Sequence, residues 1–385
     1  MKEMQEILDL WAHAETGGES AVLATVVKTR GSSYRAPGAR LLLTSGGQHV
    51  GSISGGCLED DLLKKAWWLT QTGPVIRRYD TTPEGEIATE FGLGCHGVIH
   101  VLLERILPGD VEADQPHVMR VIRDVVRCER RPAAIAHIIE PANAIGQRLV
   151  LDPRGDVSHN LSDSELARTI ARDAADALSE CSSRLVRMDS SIEVFLEVLP
   201  PVVRLLVFGA GYDAVPLTRL AKYLGWRVTV LDGRAHYARR EKFPDADEVL
   251  VRPAGHSGVA AEIDPWTVAV VMSHSYSQDL ETVRELVGQS LRYLGILGPR
   301  KRTSQLLADA GLDPATLVPV LHTPIGLDIG ADGPEQVALA VLAEIQATLN
   351  GRNGGSLRDH PGSIHSWDES SGDPKALWVQ SIACA

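Results

Sequence analysis

The segment Arg204-Leu-Leu-Val-Phe-Gly-Ala-Gly-Tyr-Asp-Ala214 constrains the fold more than any other stretch of this chain. An apolar run meets two glycines one residue apart and then a helix-forming segment that reaches Leu224. This is the strand–turn–helix context of a dinucleotide fingerprint. Gly209 permits the tight turn, Gly211 lets backbone N–H groups approach a diphosphate, and Ala214 fills the third small position. The helix N-terminus would add roughly half a positive charge. Asp232 follows Gly209 by 23 residues and ends the next apolar run, where a ribose-binding carboxylate belongs. Asp213, however, puts an acid in the first helical turn, where it favours the helix but repels a diphosphate. The loop is compatible with a bound nucleotide and equally with a structural turn.

The surrounding rhythm is strand, helix, strand. The pattern predicts strands over 203–208, 227–231, 248–251, 267–272 and 293–297, and helices over 214–224, 280–289, 303–310 and 334–349. Such alternation implies an α/β class with a Rossmann-like, doubly wound parallel sheet. Pro200-Pro201 breaks the pattern and marks a domain boundary. Ahead of it the spacing predicts an α+β domain. Its helices are expected over 2–16, from Leu58 to Leu69, over 118–125, and from the capping-box form Ser162-Asp-Ser-Glu165 to Leu178. Its strands are expected over 21–27, 40–43, 49–53, 97–104, 134–139, 148–151, 184–188 and 192–199. The expected organisation is therefore an α+β domain over 1–199, a Rossmann-like domain over 202–349, and a disordered tail over 350–385 rich in Gly, Ser, Asp and His.

Composition narrows the function classes. A formal net charge of −12 argues against a protein that coats nucleic acid or an anionic membrane. An aromatic fraction of 5% argues against stacking platforms for single strands. No apolar run approaches the roughly 20 residues of a spanning helix, and the start Met-Lys-Glu-Met-Gln-Glu lacks signal-peptide order. The five cysteines, at 57, 95, 128, 181 and 384, form no CxxC pair and no disulfide framework. A cytoplasmic protein with reduced thiols is the expectation.

Three loops of the first domain are unusually free of bulk. Gly31-Ser-Ser33 is flanked by Arg30 and Arg35; Gly51-Ser-Ile-Ser-Gly-Gly-Cys57 enters a helix whose N-terminal region holds Cys57 and Glu59; Phe91-Gly-Leu-Gly-Cys-His96 carries Cys95. Successive N–H groups on such loops can form an anion nest. A cysteine at a helix start is biased towards thiolate. Cys57 and Cys95 can face one ligand, where soft sulfur suits zinc, copper(I), iron–sulfur or molybdenum. They can equally be small buried thiols. In the second domain His274 ends a central strand, where α/β sheets bind ligands or the loop itself holds the histidine, and Arg300 and Lys301 stand where a phosphate or solvent would meet them. No Ser-His-Asp order, HExxH, GxSxG or Walker lysine appears.

Several of these motifs are long and occur in order. Gly31-Ser-Ser-Tyr-Arg-Ala-Pro-Gly-Ala-Arg40, Gly51-Ser-Ile-Ser-Gly-Gly-Cys-Leu-Glu59 and Phe91-Gly-Leu-Gly-Cys95 resemble the xanthine dehydrogenase accessory factor family, XdhC/CoxI. Phe208-Gly-Ala-Gly211, Val228-Thr-Val-Leu-Asp232, Arg234, Tyr293-Leu-Gly-Ile-Leu-Gly-Pro-Arg300 and Pro324-Ile-Gly-Leu-Asp-Ile-Gly-Ala331 are similar to its Rossmann-like domain. The resemblance implies a chaperone, not itself an enzyme. It would bind molybdenum cofactor (molybdopterin), shield it during sulfuration, and pass it to an apo molybdenum hydroxylase of the xanthine or carbon monoxide dehydrogenase type. Partners would be that hydroxylase and the sulfuration enzyme, with a homodimer expected. On this reading Gly55, Gly56, Cys57 and Cys95 contact the cofactor, the two thiols reach its molybdenum, and Arg30, Ser32 and Ser33 hold its phosphate. The alternative is an NAD(P)-dependent oxidoreductase using Gly209, Gly211 and Asp232. His96, Asp213 and Ser273-His-Ser-Tyr276 depart from the family pattern, and the last two bear against nucleotide binding by the second domain.

Overall fold

Residues ahead of Pro201, joined by one strand near the end of the chain, build two antiparallel sheets, and residues 204–322 build one parallel sheet. A computed structural model describes residues 1–31, 33–56, 58–82, 97–110, 116–189, 191–253, 258, 263–313, 317, 320–359 and 376–381, the last stretch as backbone. Two compact units emerge, one spanning Glu3–Pro200 and the other Pro201–Asp359.

The first unit opens with α1 (Lys2–Thr16), which buries Ile7, Leu8, Trp11 and Ala14 at helical spacing. Then come β1 (Ala21–Gly31), β2 (Arg40–Thr44), β3 (His49–Gly51), α2 (Glu59–Leu69), β4 (Val75–Asp80) and β5 (Gly97–Ile106). These strands form a five-stranded sheet in the order β3-β2-β1-β5-β4. Leu62 and Ala66 of α2 pack with Val22, Ala24, Ile99 and Val101 on one face. The sequence pattern does not predict β4, because Val-Ile-Arg-Arg-Tyr-Asp interrupts its apolar residues with two arginines and shows no clean alternation.

The second sheet follows through α3 (Val118–Arg123), β6 (Ala133–Glu140), β7 (Arg148–Leu151), β8 (Val157–His159), α4 (Ser164–Ser179), β9 (Ser182–Arg187) and β10 (Glu193–Leu199). The α4 N-cap is Asp163, whose carboxylate accepts from the N–H groups of Glu165 and Leu166, so the cap lies one residue beyond Ser162. Val27 and Leu102 of the first sheet meet Ile139, Leu185 and Phe195 of the second in a small shared core. Ion pairs cross the same gap: Arg40 forks onto Glu197 at 2.7 and 2.5 Å, and Lys28 reaches Glu193 at 2.5 Å. The last arginine of the Gly31–Arg40 motif is thus a buried strut between sheets.

The second unit runs β11 (Arg204–Phe208), α5 (Ala214–Tyr223), β12 (Arg227–Asp232), β13 (Glu248–Val251), β14 (Thr267–Val271), α6 (Tyr276–Leu286), β15 (Tyr293–Ile296), α7 (Arg300–Ala310), β16 (Leu321–His322) and α8 (Pro334–Leu349). Its sheet order is β13-β12-β11-β14-β15-β16 with every pair parallel, the doubly wound arrangement that the alternation predicts. The order reverses between β11 and β14, so the crevice at their carboxyl ends is the expected ligand position.

Two expectations are corrected. The tail is ordered in part: β17 (Ala376–Ser381) pairs antiparallel with β9, because Ala-Leu-Trp-Val-Gln-Ser is a β-prone segment meeting an open sheet edge. Nor are all the cysteines reduced: Cys128 is an exposed thiol, but Cys181, beside the Ser182–Ser381 pairing, is disulfide-bonded.

Candidate functional site

The register of the first sheet decides where its loops go. β1 ends at Gly31 opposite Gly97, the first residue of β5, while Asp80 at the end of β4 faces Val98. On the other side β2 begins at Arg40, and Gly51 at the end of β3 faces Leu41. The connections after β1, after β3 and between β4 and β5 therefore all leave from one end of one sheet. These are the three glycine-rich segments singled out above. Cys57, Cys95, His96 and Ser32 lie outside the described residues.

The loop after β3 is organised by Glu59, 8% exposed at the start of α2. One carboxylate oxygen accepts from the Ser52 hydroxyl at 2.8 Å and from the N–H groups of Ile53 and Ser54 at 2.9 Å. The other accepts from the Ser54 hydroxyl and from the Gly56 N–H at 2.9 Å. Ser52 and Ser54 hydroxyls in turn accept from the N–H groups of Gly55 and Leu58. Burial pushes the Glu59 carboxyl up, but the bonds from Ser54, Ser52 and Ile53 outweigh it and hold the pKa at about 2. The nest expected to receive an external anion is thus filled by the chain's own carboxylate. Gly55 and Gly56 remain exposed, with φ of +88° and +122° and open space where a Cβ would stand. A ligand can approach their backbone closely, but it finds no spare N–H at the described positions from Ile53 to Leu58.

Glu3, at the start of α1, joins two loops: it pairs with Arg35 at 2.5 Å and accepts from the Ser52 N–H at 2.9 Å. Arg30 behaves differently, for it is exposed and has no ion pair among the described residues. Ser33 is buried, and its hydroxyl has no hydrogen-bond partner there. A buried hydroxyl and a guanidinium without partners among the described residues, three positions apart in the chain, are groups that suit the phosphate of a ligand.

In the second unit, Gly209, Gly211, Asp232 and His274 gather at the carboxyl ends of β11, β12 and β14. Gly209 has φ +122°, and a Cβ there would lie 2.5 Å from the Met272 backbone, so the close approach needs glycine. Asp232 is buried and fully engaged. One oxygen accepts from the Arg234 N–H at 2.9 Å and its Nε at 2.8 Å; the other accepts from the Ala210 N–H at 2.9 Å and Arg234 Nη2 at 2.8 Å. Burial raises its pKa, but Arg234 and the Ala210 N–H leave it below the ordinary value. With both oxygens carrying two donors, none is left for a ribose hydroxyl. Above the loop, His274 Nε2 lies 2.8 Å from an Asp213 carboxylate oxygen, and His274 adopts a left-handed φ of +57°. This pair stands where a diphosphate would approach the α5 N-terminus. Arg300 is exposed at the first position of α7. Glu59 and the Asp213–His274 pair are the features sequence reasoning underused: the acid closing Gly-Gly-Cys-Leu-Glu was visible, the histidine pairing was not.

Two sheets, the first with its glycine loops at one end, followed by a doubly wound sheet with an internally bonded fingerprint, define a two-unit α/β protein of Rossmann type. Comparison with known proteins agrees. Residues 14–80 match the XdhC and CoxI family, and residues 205–345 match the XdhC Rossmann domain. A Bacillus subtilis protein named as a probable xanthine dehydrogenase subunit is 34% identical over 334 residues, covering 86% of this chain and 93% of its own. The Escherichia coli molybdenum cofactor insertion chaperone PaoD is 24% identical over 342 residues, 88% of this chain and 86% of its own. A Bacillus halodurans crystal structure described as a xanthine dehydrogenase superposes with a TM-score of 0.72 at 28% identity, covering 92% of this chain and 98% of that one. The chain belongs to the XdhC and CoxI family. Among the described residues, no helix is long and apolar enough to cross a membrane.

Proposed function

We propose that the chain is a maturation factor that carries molybdenum cofactor on the loop-bearing end of its first sheet and delivers it to a molybdenum hydroxylase. The observation that carries this reading is the register that sends all three motif loops out at one sheet end. Kinship with a protein named as a molybdenum cofactor insertion chaperone supports it. On this reading Cys57 and Cys95 supply soft sulfur to the metal, and exposed Gly55 and Gly56 let the ring system lie against backbone. Arg30, Ser32 and Ser33 take the phosphate. The client is a hydroxylase of the xanthine or carbon monoxide dehydrogenase type, the sulfuration enzyme works on the cofactor while it is held, and the carrier acts as a cytoplasmic homodimer. The NAD(P)-dependent alternative finds no support in the comparisons, and the filled lone pairs of Asp232 argue against it.

Anaerobic incubation with molybdenum cofactor, gel filtration, and fluorescence of the oxidised pterin test the reading. About one pterin per chain is expected for the wild type, with retention lost in Cys57→Ala while the unfolding midpoint is kept. Equal retention by wild type and variant would remove Cys57 from the site.

A further inference from the structure

With the N–H groups at the described positions from Ser52 to Leu58 taken up by Glu59, Glu3 and the Ser52 and Ser54 hydroxyls, positive charge for an anionic ligand at this sheet end is sought elsewhere. The ladder supplies it. Lys28 and Arg78 both stand opposite His100, and Arg30 and Asp80 both stand opposite Val98. Directly paired residues, and residues two apart on a strand, share a face. Lys28, Arg30, His100 and Arg78 therefore share a face, while Tyr79 and Ile99 point the other way into the core with α2.

We propose that Arg30 and Arg78 form a two-armed clamp for the phosphate or diphosphate group of an organic ligand lying across the loop-bearing end of the first sheet. The clamp deepens the carrier reading and rests on it for the organic part of the ligand. β1 and β4 flank β5, so the two arginines stand two strand spacings apart and two residues out of register, roughly 12 Å at their Cα atoms. Long side chains from that separation can converge on neighbouring phosphate oxygens. Arg30 carries no counter-ion among the described residues. Arg78 is 57% exposed and spends one Nη2 contact on Asp80 at 2.5 Å, leaving further donors.

Among the described residues, the acids nearby already have partners. Asp80 also accepts from the Thr82 N–H and hydroxyl, Glu193 is held by Lys28 and Arg187, and exposed Glu140 lies 3.9 Å from Lys28. The His100 imidazole reports the resulting field. Burial lowers its pKa first, then Lys28, Arg78 and Arg30 lower it further, to about 4. Three cations clustered around His100, among the described residues of a protein with a net charge of −12, are a feature that an anion site requires.

Titration calorimetry of the full chain with inorganic pyrophosphate, and separately with inorganic phosphate, tests the clamp. A saturable site that prefers pyrophosphate is expected. Arg30→Gln and Arg78→Gln should each weaken it by about tenfold, Arg78→Lys should recover only part of the loss, and Arg219→Gln in the other unit should change nothing. Both arginines are exposed, so the unfolding midpoint should hold; Arg30→Gln, which breaks no ion pair among the described residues, guards against an indirect effect through Asp80. Absence of saturation in the wild type, or unchanged affinity in both glutamine variants, overturns the clamp. Pterin retention separates the two ideas. Wild-type retention with no pyrophosphate site discards the clamp alone, whereas a pyrophosphate site in a chain that retains no pterin discards the carrier reading alone.

Discussion

At the scale of single residues, Glu59 shapes the candidate site more than any glycine around it. Its carboxylate satisfies three backbone N–H groups and two hydroxyls of the loop. In Glu59→Gln one oxygen becomes an amide donor facing the Gly56 N–H, so donor meets donor. Chemical denaturation should show a loss of about 1–3 kcal/mol near neutral pH. The sign of the pH dependence follows from a folded pKa held below the ordinary 4.5, at about 2. The stabilisation is complete above pH 4.5 and fades as pH falls towards 2, so wild type and variant should converge in that window. A constant difference across the window would mean the carboxylate charge is not what holds the loop. Glu59 was legible as an acid at a helix start, but the sequence offered no way to tell that it fills the nest itself. That depends on the backbone torsions of the whole loop, including two positive φ values at Gly55 and Gly56.

At the scale of elements, the two units differ in how far local pattern reaches. The second unit was readable almost strand by strand, since parallel strands buried on both faces appear as unbroken apolar runs between helices. The first sheet was not. Its site depends on β1 pairing with β5 across a long stretch of chain, and on β4, whose paired arginines hide it from any alternation rule. The motif loops were visible one at a time; that the strands bearing them end on the same side of one sheet was not. Arg40 illustrates the same limit, because a motif arginine that invites a ligand-binding role is 1% exposed and forked onto Glu197. Its partner group includes His137, whose pKa burial lowers even though Glu197 lies 3.7 Å away. Glu197→Ala leaves Arg40 buried without a counter-ion and should cost about 3–5 kcal/mol in urea unfolding. The double replacement Arg40→Met with Glu197→Leu should recover most of that. A single variant as stable as wild type would show that the pair does not join the sheets.

At the scale of the whole molecule, the family assignment spans both units. The first unit presents exposed glycine backbone and, without partners among the described residues, the Arg30 guanidinium and the Ser33 hydroxyl, and on the proposed reading it is where cargo would ride. The second keeps a doubly wound sheet but fills its own fingerprint with Asp232, Arg234 and the Asp213–His274 pair, features of a scaffold more than of a hydride-transfer site. The central claim is that the chain carries cofactor and hands it on. Its most direct test is transfer. The wild-type chain is loaded anaerobically, freed of unbound pterin, and mixed with an apo molybdenum hydroxylase in the presence of a scavenger for free cofactor. Recovery of hydroxylase activity together with loss of pterin from the carrier fraction is the predicted result. Pterin that stays on the chain while the hydroxylase remains inactive, or activity abolished by the scavenger, would contradict that claim.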